Sequence, residues 1–133
     1  MRRRHAVALL TLVTAGCMLG TGAGNFQPAT GPAGITVELR GAHKARLTGE
    51  LLEVRDTALV LLDSTKVRLA PFRAIQTAAF RHRSVLDFAG SSAPPPDQRA
   101  RMRLVARFPA GLAPELLRQL LEAHGQSEES LFP

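Results

Sequence analysis

The stretch from Ile35 to Phe80, ITVELRGAHKARLTGELLEVRDTALVLLDSTKVRLAPFRAIQTAAF, constrains the fold more than any other part of the chain. Ile35, Val37 and Leu39 alternate with Thr36, Glu38 and Arg40, the period of two that sets one face of a strand in a core and the other in water. Gly41 marks a turn, and beyond it Ala45, Leu47, Gly49 and Leu51 alternate with Lys44, Arg46, Thr48 and Glu50. After Leu51 the parity switches, because Leu52 and Val54 are apolar while Glu53 and Arg55 are charged. A switch two residues after a glycine predicts a bulge or a sharp bend. Arg55-Asp56-Thr57 turns the chain, and Ala58 to Leu62, apolar on both faces, predicts a central strand. Asp63-Ser64-Thr65 turns it again, Val67 and Leu69 lead to a strand closed by Pro71, and Arg73 to Phe80 predicts the last strand.

A bent strand that serves two sides of one core is how small barrels close. The expected fold is therefore mainly β with α, with a small, strongly bent five-stranded barrel over residues 35–88. The succession of Gly41, a bent strand carrying Gly49-Glu50-Leu51, an acidic turn at Asp56, an apolar strand and a short closing pair resembles the Sm-like family and its SH3-like relatives. That resemblance implies the barrel. In the family, RNA is contacted by an Asn after the acidic turn and by an Arg-Gly pair in a second motif. Here Ala58 and Leu59 follow the turn, Gln76 to Phe80 hold neither Arg nor Gly, and the two glycines stand wider apart than is usual there. The resemblance carries a fold, and RNA binding does not follow from it. Apolar burial in so small a core falls short of the entropy of ordering it, so the barrel needs a lid, a partner subunit or both.

Residues 89–96, with GSSAPPP from Gly90 to Pro96, have the composition of a loop. Asp97 suits an N-cap, and Met102, Val105 and Ala106 share a helical face. Phe108-Pro109-Ala110-Gly111 ends that run; Pro114 and Glu115 suit the first turn of a second helix, Leu116, Leu117, Leu120 and Leu121 form its apolar stripe, and Gly125 terminates it. These features predict an αα-hairpin over 97–125 that caps the barrel, followed by a polar, frayed tail over 126–133.

At the other end, Arg2, Arg3 and Arg4 precede an uncharged apolar run from Ala6 to Gly16. Eleven residues are too few to span a bilayer and match the hydrophobic region of a signal peptide over residues 1–16. Val13-Thr14-Ala15-Gly16-Cys17 resembles the lipobox of bacterial lipoproteins, with Thr14 where that family most often has Leu. The resemblance implies that Cys17 carries lipid such as palmitate and becomes the mature N-terminus. An ordinary signal peptide cut at Thr21-Gly22-Ala23 and an uncleaved anchor are the alternatives; all three imply export, and the lipid-anchored reading places the protein in the cell envelope. Residues 17–34, with five glycines and two prolines, then read as a flexible tether. The chain as a whole is similar to exported bacterial lipoproteins of an uncharacterised family, a likeness that brings no activity with it.

A net charge of +6 and a pI near 11.2 suggest a polyanionic partner. Setting aside the three leader arginines reduces 17 Lys and Arg to 14 against 11 Asp and Glu, a balance of only +3. The densest positive cluster is Arg99, Arg101, Arg103 and Arg107, with Arg81 and Arg83 nearby in sequence. It is the candidate anion-binding face, for phosphates of a headgroup, a nucleic acid or an anionic polymer; the plainer reading is a solvated helix face. The helix, glycine turn and helix are shared with DNA-binding helix-turn-helix proteins, which export sets aside. His43, His82 and His124 lie too far apart in sequence for a metal site. No serine has a Gly-x-Ser-x-Gly or Ser-x-x-Lys setting, and no glycine-rich phosphate loop occurs. Glu50 with Glu53, or Asp56 with Asp63, could pair as carboxylates, but strand edges and turns account for them equally.

The expectation is a non-catalytic binding or scaffolding module with no cofactor and no metal. Its expected partners are the membrane, through lipid on Cys17, and either a second copy or another envelope protein; the charge balance argues against nucleic acid. The alternatives are a nucleic-acid or anionic-ligand binder that uses the Arg-rich helix face, and a hydrolase with an unrecognised site.

Overall fold

The computed structural model describes residues 33–81, 85–87 and 93–133, and every structural statement below concerns these. Strands β1 (Thr36–Gly41), β2 (Arg46–Val54), β3 (Ala58–Leu62) and β4 (Val67–Pro71) form an antiparallel meander, and β5 (Ile75–Phe80) returns to pair with β1. Two short additions extend the sheet. β6 (Val85–Asp87) pairs with β5, and the two-residue β7 (Ser130–Leu131) runs parallel to β4. The order is β6-β5-β1-β2-β3-β4-β7. The fold is mainly β with two helices, as the patterning predicts. The sheet is open, with seven strands where a closed barrel of five was expected, and no pairing among the described residues joins its ends. The reason lies at the edges: β6 occupies that of β5, and β7 that of β4.

The parity switch after Leu51 is a bulge. Leu51 pairs with Leu61 and Glu53 with Val60, which leaves Leu52 as the extra residue. Leu51 and Val54 join one apolar cluster with Val37, Leu39, Leu59, Leu61 and Phe80, while Leu52 joins a second cluster with Val60 and Val67. Because Leu59, Val60 and Leu61 alternate between clusters, the two lie on opposite faces of the sheet. Backbone groups freed by the bulge are taken up by the segment after the first helix. Arg107 N donates to Leu51 O and Phe108 N to Leu52 O, both at 2.9 Å, and Ile35 bridges the two sides by accepting from Leu51 N and donating to Val105 O.

That strap carries the chain from one face to the other. Helix α1 (Pro96–Arg103) and its following turn place Met102, Val105 and Ala106 in the first cluster. Helix α2 (Pro114–Ala123) places Leu121 in the second, with Leu117, Leu120 and Phe108 beside it. The two helices therefore cover opposite faces of the sheet and do not cap it together as a hairpin. Helix α1 also starts two residues earlier than expected: Pro95, not Asp97, is the cap residue, no side chain caps the helix, and Asp97 lies inside its first turn. Proline at position 96 has the φ that the first turn requires, which moves the start ahead of Asp97. Helix α2 ends as its sequence predicts, with Gly125 at φ +66°, Gly125 N donating to Glu122 O and Gln126 N to Leu121 O.

The tail beyond Gly125 is ordered against the sheet, contrary to the fraying expected from its polarity. Gln126 acts as a mock strand residue: its Oε1 accepts from Val67 N at 2.7 Å and its Nε2 donates to Val67 O at 3.0 Å. Glu129 pairs with Arg55 at 2.7 Å, and Phe132 N donates to Leu69 O. The Phe132 ring is buried in the first cluster beside Gly41, where an added Cβ would lie 2.9 Å from it.

The β3–β4 turn carries a pH-sensitive contribution. One Asp63 oxygen accepts from Thr65 N, Thr65 Oγ1 and Lys66 N, and the other accepts from Arg68 Nε at 2.7 Å. Desolvation on its own would raise the Asp63 carboxyl, but the bonds from Arg68, Thr65 and Lys66 outweigh it and hold the group well below the usual carboxylate range. A depressed carboxyl stabilises the fold fully above the unfolded value, near pH 4, and loses that contribution as pH falls toward the folded value. Asp63→Asn is expected to cost about 1–2 kcal/mol at neutral pH, the ion pair being trimmed by solvent around Arg68. In urea titrations the gap between wild type and variant should shrink as pH drops below about 4.

Candidate anion-binding site

Of the four arginines singled out by sequence density, three face acidic residues. Arg103 Nε donates to Val54 O and its Nη2 to Asp56 Oδ1, both at 3.0 Å, and Arg99 Nε lies 3.7 Å from the same Asp56 oxygen. Arg107 approaches Glu50 Oε2 at 3.6 Å and lies over the Phe108 ring, 5.6 Å from its centre. Arg101 is exposed and pairs with no described residue. Arg99, Arg103 and Arg107 thus tie α1 and the strap to β2 and the β2–β3 turn. The cleft of about 420 Å³ beside Arg103 holds balanced charge, with Glu53, Arg55 and Asp56 in its wall. Arg55 also reaches Glu53 and Glu129, and Glu53 Oε1 accepts from Leu112 N. Neither carboxylate pairing considered from the sequence is formed: Glu50 binds Gly34 N and Arg107, Glu53 binds Arg55 and Leu112 N, Asp56 meets Arg103, and Asp63 meets Arg68.

Unbalanced positive charge gathers at the β1–β2 turn. The register places Arg40 of β1 directly opposite Arg46 of β2, two exposed arginines on one face of the sheet. Like charges in that relation destabilise a sheet. Between them, exposed His43 and Lys44 adopt left-handed backbone at φ 52° and 63°, a conformation that costs non-glycine residues about 1–2 kcal/mol each. The turn is closed by Gly41 N donating to Ala45 O and Ala45 N to Ala42 O. Across the neighbouring β5–β1 pair the register slips, because Arg40 faces Thr77 while Gly41 faces Ile75, and Gln76 is the bulged residue. Arg40, His43, Lys44, Arg46 and Gln76 line a cleft of about 540 Å³. Glu38 is the acid that meets this group, 3.3 Å from Arg40; Lys44 and Arg46 pair with no described acid.

Strain and repulsion are thus concentrated at one exposed turn. The arrangement suits an oxyanion: two planar guanidinium forks side by side, an ammonium, an imidazole and a bulged amide. A signal for it exists in the sequence, since a four-residue turn after Gly41 fixes Arg40 opposite Arg46. Arginines six residues apart are, however, less conspicuous than the run from Arg99 to Arg107.

Cys17, Arg83 and His82 lie outside the described residues. Among those described, no group of three His, Cys, Asp or Glu side chains could hold a metal ion, and no helix is long and apolar enough to cross a membrane. No protein-family model, curated protein or solved structure matches this chain.

Proposed function

We propose that this is an exported, lipid-anchored protein of the cell envelope whose β domain is a non-catalytic module that binds an anionic ligand at the β1–β2 turn. The observation that carries the reading is the facing pair Arg40 and Arg46, held beside Lys44 and His43 with one neighbouring acid. The sequence from Arg2 to Cys17 supports the anchor.

Titrating the full chain with inorganic phosphate tests the site. Arg40→Ala combined with Arg46→Ala is expected to weaken phosphate binding about tenfold or more. The same variant should unfold at no lower temperature than wild type, because it also removes a like-charge pair. Phosphate binding indifferent to the double substitution would reject the site. Labelling with a palmitate analogue, compared between wild type and Cys17→Ser, tests the anchor; an unlabelled wild type would reject it.

A further inference from the structure

The cationic turn is one end of a longer exposed surface. On the outward face of β1, Thr36, Glu38 and Arg40 follow one another, and the register sets Glu38 opposite Thr48 on β2 and Ala79 on β5, with Arg40 opposite Arg46 and Thr77. A second cleft of about 520 Å³, lined by Thr36, Glu38, Thr48, Ala79 and Arg81, adjoins the one at the turn, and the Glu38–Arg40 ion pair joins them. Helix α2 covers the outward side of β3 and β4 through Val60 and Val67, leaving Arg40, Arg46 and Thr48 exposed. Five residue steps from Thr36 to Gly41 give the face a length of roughly 17 Å.

We propose that this face binds a segment of an anionic polysaccharide, with its acidic groups at Arg40, Arg46, Lys44 and His43 and its hydroxyls along Thr36, Glu38, Thr48 and Thr77. This rests on the anion-binding reading of the turn and adds the occupant of the remaining face. Threonine hydroxyls both donate and accept, and a carboxylate accepts from paired hydroxyls, so the row can satisfy the many hydroxyls of a sugar chain. The protein has no Trp and no Tyr, and Phe80 in the wall of the second cleft is only 3 % exposed, so the face offers neither a base nor a sugar ring an aromatic ring to stack on. Affinity must then come from charge at one end, which selects an acidic glycan over a neutral one.

The test titrates the full chain with inorganic phosphate, tetragalacturonate, maltotetraose and an eight-nucleotide oligothymidylate. Tetragalacturonate is expected to bind about tenfold tighter than phosphate, a gain of one or two added hydrogen bonds, while maltotetraose should show no measurable binding. Thr36→Val with Thr48→Val should remove the gain of tetragalacturonate over phosphate and leave phosphate binding and the thermal midpoint unchanged. Equal affinity for phosphate and tetragalacturonate, or a gain that survives the double threonine variant, overturns the glycan inference and leaves the anion site standing. Oligothymidylate binding tighter than tetragalacturonate overturns it in favour of nucleic acid. Failure of phosphate to bind overturns both readings.

Discussion

Phe132→Ala is expected to lower the unfolding free energy by about 3–5 kcal/mol, the range for emptying a buried phenylalanine site. The ring lies in the same cluster as Leu39, Ile75 and Met102, and it is 5 % exposed although it is the penultimate residue. Its backbone is fixed by the bond to Leu69 O, and Gly41 leaves it room on the far side. Collapse into the void is opposed by the sheet that forms its walls, which puts the cost toward the upper end of the range. The neighbouring Leu131 supplies the control: at 66 % exposure, Leu131→Ala should cost less than about 1 kcal/mol. Urea unfolding of the two variants decides the matter, and equal tolerance would show that the tail is an ornament on the fold. Deleting residues 126–133 should go further, because it strips β4 of both β7 and the Gln126 amide and leaves an open strand edge. Self-association of that truncated chain is the expected consequence.

Gly34→Ala is expected to destabilise by about 3 kcal/mol or more, beyond the usual range for overpacking. An added Cβ would stand 2.1 Å from Leu51 O and 2.8 Å from Arg107 N. Both are backbone atoms, and they are bonded to each other across the bulge. Neither can yield without separating β2 from the strap that links the two helices. Hydrogen exchange should report the damage locally, with the Arg107 and Phe108 amides losing protection before those of β3. Gly125→Ala is the comparison: its positive φ imposes strain of about 1 kcal/mol, but nothing lies near the added atom.

Local chemistry made much of this fold legible from sequence. Alternation marked β1, β2 and β4, apolarity on both faces marked β3, the glycine and aspartate turns separated them, and the parity change at Leu51 located the bulge. Pro114 and Gly125 bracketed α2, because a fixed φ and a left-handed end are written in single residues. What escaped depended on partners distant in the chain. Leu116, Leu117, Leu120 and Leu121 make a stripe whichever face of a sheet it meets, so the separation of the helices onto two faces had no local sign. Residues 126–133 look soluble because Gln126 to Ser130 are all polar, and both the burial of Phe132 and the strand-like role of Gln126 need the edge of β4 to exist. The facing arginines of the β1–β2 turn escaped for a related reason. Counting charges along the chain favours Arg99 to Arg107, whereas in the fold Arg99 and Arg103 share Asp56 and Arg107 faces Glu50. A turn that sets Arg40 against Arg46 has no sign in such a count.

The direction of β1 has a mechanical consequence. The chain enters that strand at Thr36, and the cationic turn sits beyond Gly41 at its far end, with β2 on one side and β5 on the other. A tether pulling at Thr36 and a ligand held at the turn would stretch the molecule along β1. The hydrogen bonds to both neighbours lie perpendicular to that line, so the load would act on them together in shear instead of opening them one at a time like a zipper. A domain loaded in this way would carry tension through a strand paired on both sides.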